Sequence, residues 1–157
     1  MILILFVYIR FYLRPNSTFE ILQLSVRQLR PHHLFEKSPI VITDLIVDPK
    51  QLLVGAFRYL YITTSLITPY KNIDLIKQNK SKFMIIHALQ NTRVSVYHPK
   101  YSRILKRKEY AQFVDIELAQ HQTLMLPMFW WFKPSKYVNI IYMDDIITNL
   151  LGNIFTF

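Results

Sequence analysis

The residues of this chain best suited to chemistry are its five histidines, His32, His33, His87, His98 and His121, and the adjacent carboxylates Asp144-Asp145. Neighbouring aspartates can hold two metal ions for phosphoryl transfer when a third carboxylate reaches them from a separate strand within a sizeable nucleotide site. The preceding aspartate, Asp115, stands only 29 positions before Asp144, and twelve residues follow Asp145. That leaves little room for such a site, and an N-cap for a closing helix accounts for both side chains more simply. His32 and His33 suggest a metal pair, yet neighbours on a helix point about 100° apart and converge poorly on one ion. His87 and His98 fall in expected strands and could meet across a hairpin. However, no Asp or Glu occurs between Ile76 and Lys108 to complete a zinc site. With no cysteine, thiol catalysis, disulfides and zinc-thiolate sites are excluded.

Charge is concentrated rather than spread. The formal net charge is +9, and nine Lys or Arg lie between Lys77 and Lys108 without one acidic residue, so this segment carries the whole excess. Its densest part, Lys100, Arg103, Lys106, Arg107 and Lys108, is a candidate contact patch for an acidic protein face, anionic lipid or nucleic acid. Tyr97, His98 and Tyr101 interleave with these cations, which suits base stacking beside phosphate contact. A solvated basic loop fits the same composition.

The apolar excess has its own location. Hydrophobic residues make up 52% of the 157-residue chain, at the apolar end for a soluble domain. The first segment, residues 1–14, carries Ile2, Leu3, Ile4, Leu5, Phe6, Val7, Tyr8, Ile9, Phe11 and Leu13, is interrupted by Arg10 and stops at Arg14-Pro15. Thirteen helical residues extend about 20 Å, against roughly 30 Å of hydrocarbon, and Arg10 could snorkel to a headgroup. The segment lacks the basic start and small-residue cleavage site of a secretory signal. A short anchor or interfacial helix, a segment inserted into a neighbouring protein, and a buried strand all remain open.

The elements that must position these residues follow from periodicity. Residues 15–157 have the length of one domain. "FEILQLSV", Phe19–Val26, alternates like a strand, and Ser25 opens a short helix from Arg27 to Glu36 with Pro31 weakening its middle. "PIVITDLIV", Pro39–Val47, predicts a buried strand; Asp48-Pro49 predicts a helix to about Tyr61, with Leu52, Leu53, Ala56, Phe57 and Leu60 on one stripe. "KFMIIHAL", "TRVSVYHP", "FVDIEL", "QTLMLPMFWWF" and "YVNIIYM" then predict five short strands. Asp144-Asp145 caps a last helix with Ile146, Ile147, Leu150, Leu151 and Ile154 on its apolar face. The expected fold class is mainly β with flanking helices (α+β), a small antiparallel β-sandwich with an apolar N-terminal segment.

Within that frame, "FVDIELAQHQTLMLPMFWWF" resembles the cupin-like domains of the JmjC and asparaginyl-hydroxylase superfamily. In that family a strand, a tight turn and a run of the type L-x-x-G-[DQ]-x-L-x-[IL]-P-x-x-W-W-H bring the last iron-ligand histidine onto the sheet. Leu118, Gln122, Leu124, Leu126, Pro127, Trp130 and Trp131 match, "SPIVITDLI" is similar to an early family strand, and "VSVYHPKY" to a later one. Two positions depart. The turn's glycine is replaced around Gln120-His121, and the ligand histidine by Phe132, which has no lone pair for a metal. None of the five histidines begins the family's upstream His-x-Asp or His-x-Glu pair either. The resemblance thus implies the fold with its chemistry lost: no catalytic residue, no metal, no cofactor and no small-molecule substrate. Trp130 and Trp131 would then sit on opposite faces of one strand, in a core motif of Pro127, Trp130, Trp131 and Phe132.

Asp144-Asp145 also completes Tyr-Met-Asp-Asp, the signature of reverse transcriptases, but the surrounding lengths fit no palm. The layout of a short apolar N-terminus before a degenerate cupin-like domain is similar to small structural proteins of large nucleocytoplasmic DNA viruses, in which minor capsid components link a shell to a membrane. This implies a non-enzymatic component of a virion or intracellular membrane-associated assembly, with other structural proteins as partners and lipid reached through the N-terminus. The alternatives are an iron- and 2-oxoglutarate-dependent oxygenase with unusual ligands, and a basic nucleic-acid-binding module.

Overall fold

The computed structural model describes residues 2–14, 17–49, 63–64, 67–71, 73, 75–101, 104–105 and 111–154. Helix α1 spans Ile2–Leu13, strand β1 Leu22–Leu24, helix α2 Pro31–Phe35 and strand β2 Ile40–Ile42. The strands β3 (Thr63–Thr64), β4 (Thr68–Tyr70), β5 (Lys77–Gln78), β6 (Phe83–Ala88), β7 (Thr92–Tyr97), β8 (Phe113–Leu118), β9 (Thr123–Pro127), β10 (Trp131–Pro134) and β11 (Val138–Asp144) follow, and helix α3 (Ile146–Ile154) closes the fold.

Two sheets face each other. A seven-stranded sheet runs β1-β2-β9-β6-β11-β3, with β4 also on β11, and a four-stranded sheet runs β5-β10-β7-β8. From β5 onward the chain crosses between the sheets at almost every connection. The expected mainly β sandwich with flanking helices is therefore the observed class.

Period-two alternation builds the layers. Met84, Ile86 and Ala88 of β6, Leu124 and Leu126 of β9, and Val138 and Ile140 of β11 point between the sheets. There they meet Val94, Val96, Ile116, Leu118 and Phe132 from the smaller sheet. The intervening residues Phe83, Ile85, Met125, Ile141 and Met143 face outward but stay dry, because Leu29, Leu34 and Ile46 cover them. β6 is thus buried on both faces, which explains its almost unbroken apolar run. One end of the smaller sheet's outer face is wet, and Arg93, Asp115 and Glu117 pair there across β7 and β8.

Four expectations change. The Phe19–Val26 and Pro39–Val47 strands shorten to β1 and β2, and these pair in parallel rather than antiparallel fashion, with α2 as the crossover. Pro31 does not weaken the middle of a helix but begins one, where its missing N–H costs nothing. The run "QTLMLPMFWWF" is two strands, not one, because the chain turns at Met128-Phe129, with Phe129 at φ 70°. His87 and His98 do not meet, since β6 and β7 lie in different sheets. The helix expected from Asp48-Pro49 to Tyr61 lies outside the described residues beyond Pro49.

Candidate functional site

The turn between β9 and β10 places the tryptophan pair. Phe129 adopts a left-handed backbone, unfavourable for a residue with a Cβ, so the surroundings must hold it there. Asn79, wholly buried, does so: its backbone N–H donates to Trp130 O at 2.8 Å and its carbonyl accepts Phe129 N–H at 2.7 Å. Its amide donates to Leu126 O at 2.9 Å and Pro127 O at 3.0 Å, while Oδ1 accepts Ser81 N–H at 2.9 Å. Sequence reading passed over Asn79, although a polar residue just after a short strand and before a buried one is the pattern such a clasp leaves.

Trp130 precedes β10 rather than sharing it with Trp131. Its ring is buried between Phe19 (5.5 Å) and His98 (5.0 Å), and its Nε1–H donates to Lys37 O at 3.0 Å. Trp131 turns the other way and is half-buried against the small cluster of Tyr97, Leu105 and Ala111. Phe132 points between the sheets. It is 1% exposed, opposite Val96 on β7 and Lys77 on β5, with its ring 5.6 Å from that of Tyr70. The Tyr70 hydroxyl is buried with no hydrogen-bond partner among the described residues, and burial, followed by Tyr142, raises its pKa above the ordinary phenol value. A phenyl ring, a neutral phenol and a valine offer none of the imidazole and carboxylate donors of a two-histidine, one-carboxylate iron site. The residues at this position do not fit a metal.

The turn before β9 is informative in another way. His121 has φ 67°, a left-handed backbone at a residue that carries a Cβ. Its N–H donates to Ala88 O at 2.8 Å, and Gln122 Oε1 accepts Ala119 N–H at 2.9 Å. The His121 ring lies 5.8 Å from that of His87, which shares a 3.3 Å hydrogen bond with Thr123. Burial first, then His121, push the His87 imidazole below its usual pKa, while Asp48 opposes them. His98 accepts Lys100 N–H through Nδ1 at 3.1 Å. His32 and His33 come closer than a regular helix implies: their rings are 4.0 Å apart, and their ligand atoms lie within 4.8 Å of Glu36. All three side chains are at or near the surface, and His33 Nδ1 accepts Arg30 N–H at 3.1 Å.

Asp144 and Asp145 have structural partners. Asp145 caps α3: Thr148 N–H donates to Oδ1 at 2.8 Å, and the Asp145 N–H donates to the Thr148 hydroxyl at 3.1 Å. Asp144 accepts Lys82 N–H at 2.9 Å. Asp115 is elsewhere, on the outer face of the small sheet with Ser95 at 2.6 Å. The second Asp145 oxygen receives Lys82 Nζ at 2.7 Å and the Tyr8 hydroxyl, while Lys82 Nζ also donates to Tyr8 Oη at 3.0 Å. Desolvation, the largest single influence, pushes the Asp145 carboxyl up; the bonds from Lys82, Tyr8 and Thr148 outweigh it and hold the pKa at about 2.

This latch places the N-terminal helix. Tyr8 holds α1 beside α3, and Phe11 lies edge-on to Phe35 at 6.1 Å. Lys37, itself at φ 54°, closes the C-terminal end: its Nζ donates to Phe11 O and Arg14 O and sits 3.8 Å over the Phe11 ring. Burial, then Arg14, lower the Lys37 pKa to about 8. Of the insertion residues, Leu3, Leu5, Phe6 and Val7 face outward, whereas Tyr8, Ile9, Phe11 and Leu13 are half-buried. The side chains of Ile2 and Ile4 lie outside the described residues. Among those described, no helix is long and apolar enough to cross a membrane. Of the basic patch, Lys100 is exposed beside Tyr101; Arg103, Lys106, Arg107 and Lys108 lie outside the described residues.

The chain matches no protein-family profile and no curated protein. Fold and site thus define the class directly: a mainly β, two-sheet sandwich with an apolar interior, carrying two helices latched together through a part-buried ion pair.

Proposed function

We propose that this chain is a degenerate cupin-like domain with a structural, non-enzymatic role, a minor capsid-type component that links a protein shell to a membrane. The observation that carries this reading is Phe132, sealed against Tyr70 at the place where the resembling family holds its distal metal ligand. Aromatic rings now fill the space where an oxygenase would keep an open coordination sphere. Two further features support the resemblance. The strands order β4-β11-β6-β9 against β5-β10-β7-β8, the two-sheet winding that jelly rolls and cupins share. His121 takes the left-handed turn at the family's glycine position. Partners are then other structural proteins, reached through the basic segment, and lipid, reached through α1.

The test pairs two measurements on the full chain. Purified protein supplied with ferrous iron and 2-oxoglutarate should release no succinate, and a tagged chain produced in its source cells should co-sediment with a large particle. Iron-dependent succinate release, or a tagged chain found only as a free monomer, overturns the reading.

A further inference from the structure

The sequence places apolar insertion into lipid in residues 1–14, but the fold leaves a second apolar stripe bare. Ile146, Leu150 and Ile154 recur every fourth residue along α3 and are 81%, 58% and 67% exposed, while Thr148 and Leu151 on the other side are buried. On α1, Leu3, Phe6 and Val7 are 73%, 56% and 59% exposed. Leu3 and Phe6 stand far round the helix from Tyr8, the residue that faces the domain. The bond from Tyr8 to Asp145, the cap of α3, makes the two helices meet. Their bare stripes therefore lie on neighbouring elements, fixed by the part-buried Tyr8–Lys82–Asp145 cluster.

Among the described residues, the charge that borders the α1 stripe is mainly basic. The first acidic residue of the chain is Glu20, and no charged residue follows Asp145. At the C-terminal end of α1, Arg10, Arg14 and Lys37 line an open groove of about 510 Å³ with Val7, Phe11 and Phe35, where Glu36 is the one acidic group among the described residues. Arg10 and Arg14 are exposed, and the Arg10 guanidinium lies 6.0 Å over the Phe6 ring. An apolar face bordered by cations is the pattern of a helix lying in the headgroup region of an anionic bilayer, with the apolar side chains sunk toward the acyl chains. A second copy is the poorer occupant, because a two-fold contact through this face would bring Arg10 and Arg14 toward their own equivalents.

We infer that α1 and α3 together form one monotopic lipid-binding surface, in which Leu3, Phe6, Val7, Ile146, Leu150 and Ile154 enter the interface of an anionic membrane and the Arg10–Arg14–Lys37 groove receives phospholipid headgroups. The inference deepens the structural reading above by naming which elements meet lipid.

The experiment is flotation of the full chain with vesicles of phosphatidylcholine alone and of phosphatidylcholine mixed with phosphatidylserine. The wild type should float with the mixed vesicles and more weakly with the neutral ones. Leu150→Asp with Ile154→Asp should lower the affinity about tenfold or more, given the apolar area withdrawn, and Arg10→Glu with Arg14→Glu should abolish the preference for phosphatidylserine. Both pairs alter exposed side chains, and unchanged circular dichroism and melting verify the fold. Absence of flotation with either vesicle, or flotation that the α3 pair leaves unchanged, overturns the inference. So does a lipid-free dimer that the α3 pair converts to monomer, because the occupant would then be a second copy. A chain that floats as expected yet turns over 2-oxoglutarate keeps this surface and loses the structural reading, so the two failures are distinguishable.

Discussion

Replacing Lys82 with methionine isolates the bond on which the N-terminal helix rests. The Lys82 and Asp145 side chains are 6% and 18% exposed, with 2.7 Å between Nζ and the carboxylate. Methionine retains most of the stem's bulk and removes the charge. Asp145 titrates at about 2 instead of 3.8, which corresponds to about 2 kcal/mol favouring the ionised form in the fold. Lys82 is the largest of the influences that lower it, so its removal should cost about 1 to 2 kcal/mol. That is less than the roughly 3 to 5 kcal/mol for breaking a fully buried pair, because Asp145 keeps its Thr148 bond and some contact with water. Urea unfolding should register this loss. Hydrogen exchange read by mass spectrometry should localise it: amides of α1 should exchange about tenfold faster, since Tyr8 loses its bond from Lys82, while those of β6 change only by the global loss. Adding Asp145→Asn to Lys82→Met should cost less than the sum of the two single changes. Unchanged exchange in α1 alongside lower global stability would refute the idea that this pair latches the helix.

Further outcomes follow from the same structure. Trp130→Ala should destabilise the fold by about 3 to 5 kcal/mol, since it empties a core site and strands the Lys37 carbonyl; a loss below about 1 kcal/mol in urea unfolding would contradict the packing described. Asn79→Ala should cost about 2 to 4 kcal/mol by leaving buried turn carbonyls without donors, and a melting temperature equal to wild type would show the clasp to be dispensable. His121→Gly should be neutral or stabilise by about 0.5 to 1 kcal/mol, whereas His121→Val, β-branched at positive φ, should destabilise; the reverse order would undo the glycine-position assignment. Because Asp145 has a lower pKa folded than unfolded, its contribution is complete above about pH 4 and is lost as pH falls through about 2. The stability gap between wild type and Asp145→Asn should therefore narrow across that window, and a constant gap would contradict it.

Much of the architecture was legible in the chain because local patterns and tertiary packing agree. The five β-type runs after Lys82 alternate or run apolar according to whether one face or both are buried, and Asp145 caps α3 by a bond that spans three residues. Phe132 and its apolar neighbours on the strand announced a buried face through residue type alone. Legibility failed where the decision was not local. Parallel pairing of β1 with β2 depends on a crossover that no strand's own sequence encodes. The break at Phe129 depends on Asn79, 50 positions away, holding a non-glycine residue at positive φ.

By itself, then, the sequence determined the class of fold, the absence of thiol chemistry, the concentration of charge and the apolar character of residues 1–14, since these follow from composition and short-range period. Tertiary structure alone decided where the apolar helix lies and what accompanies it. Tyr8, Lys82 and Asp145 are separated by as many as 137 positions, and only folding brings them within bonding distance. That contact turns half of α1 inward, sets the remaining half beside the bare stripe of α3, and makes one surface out of two ends of the chain.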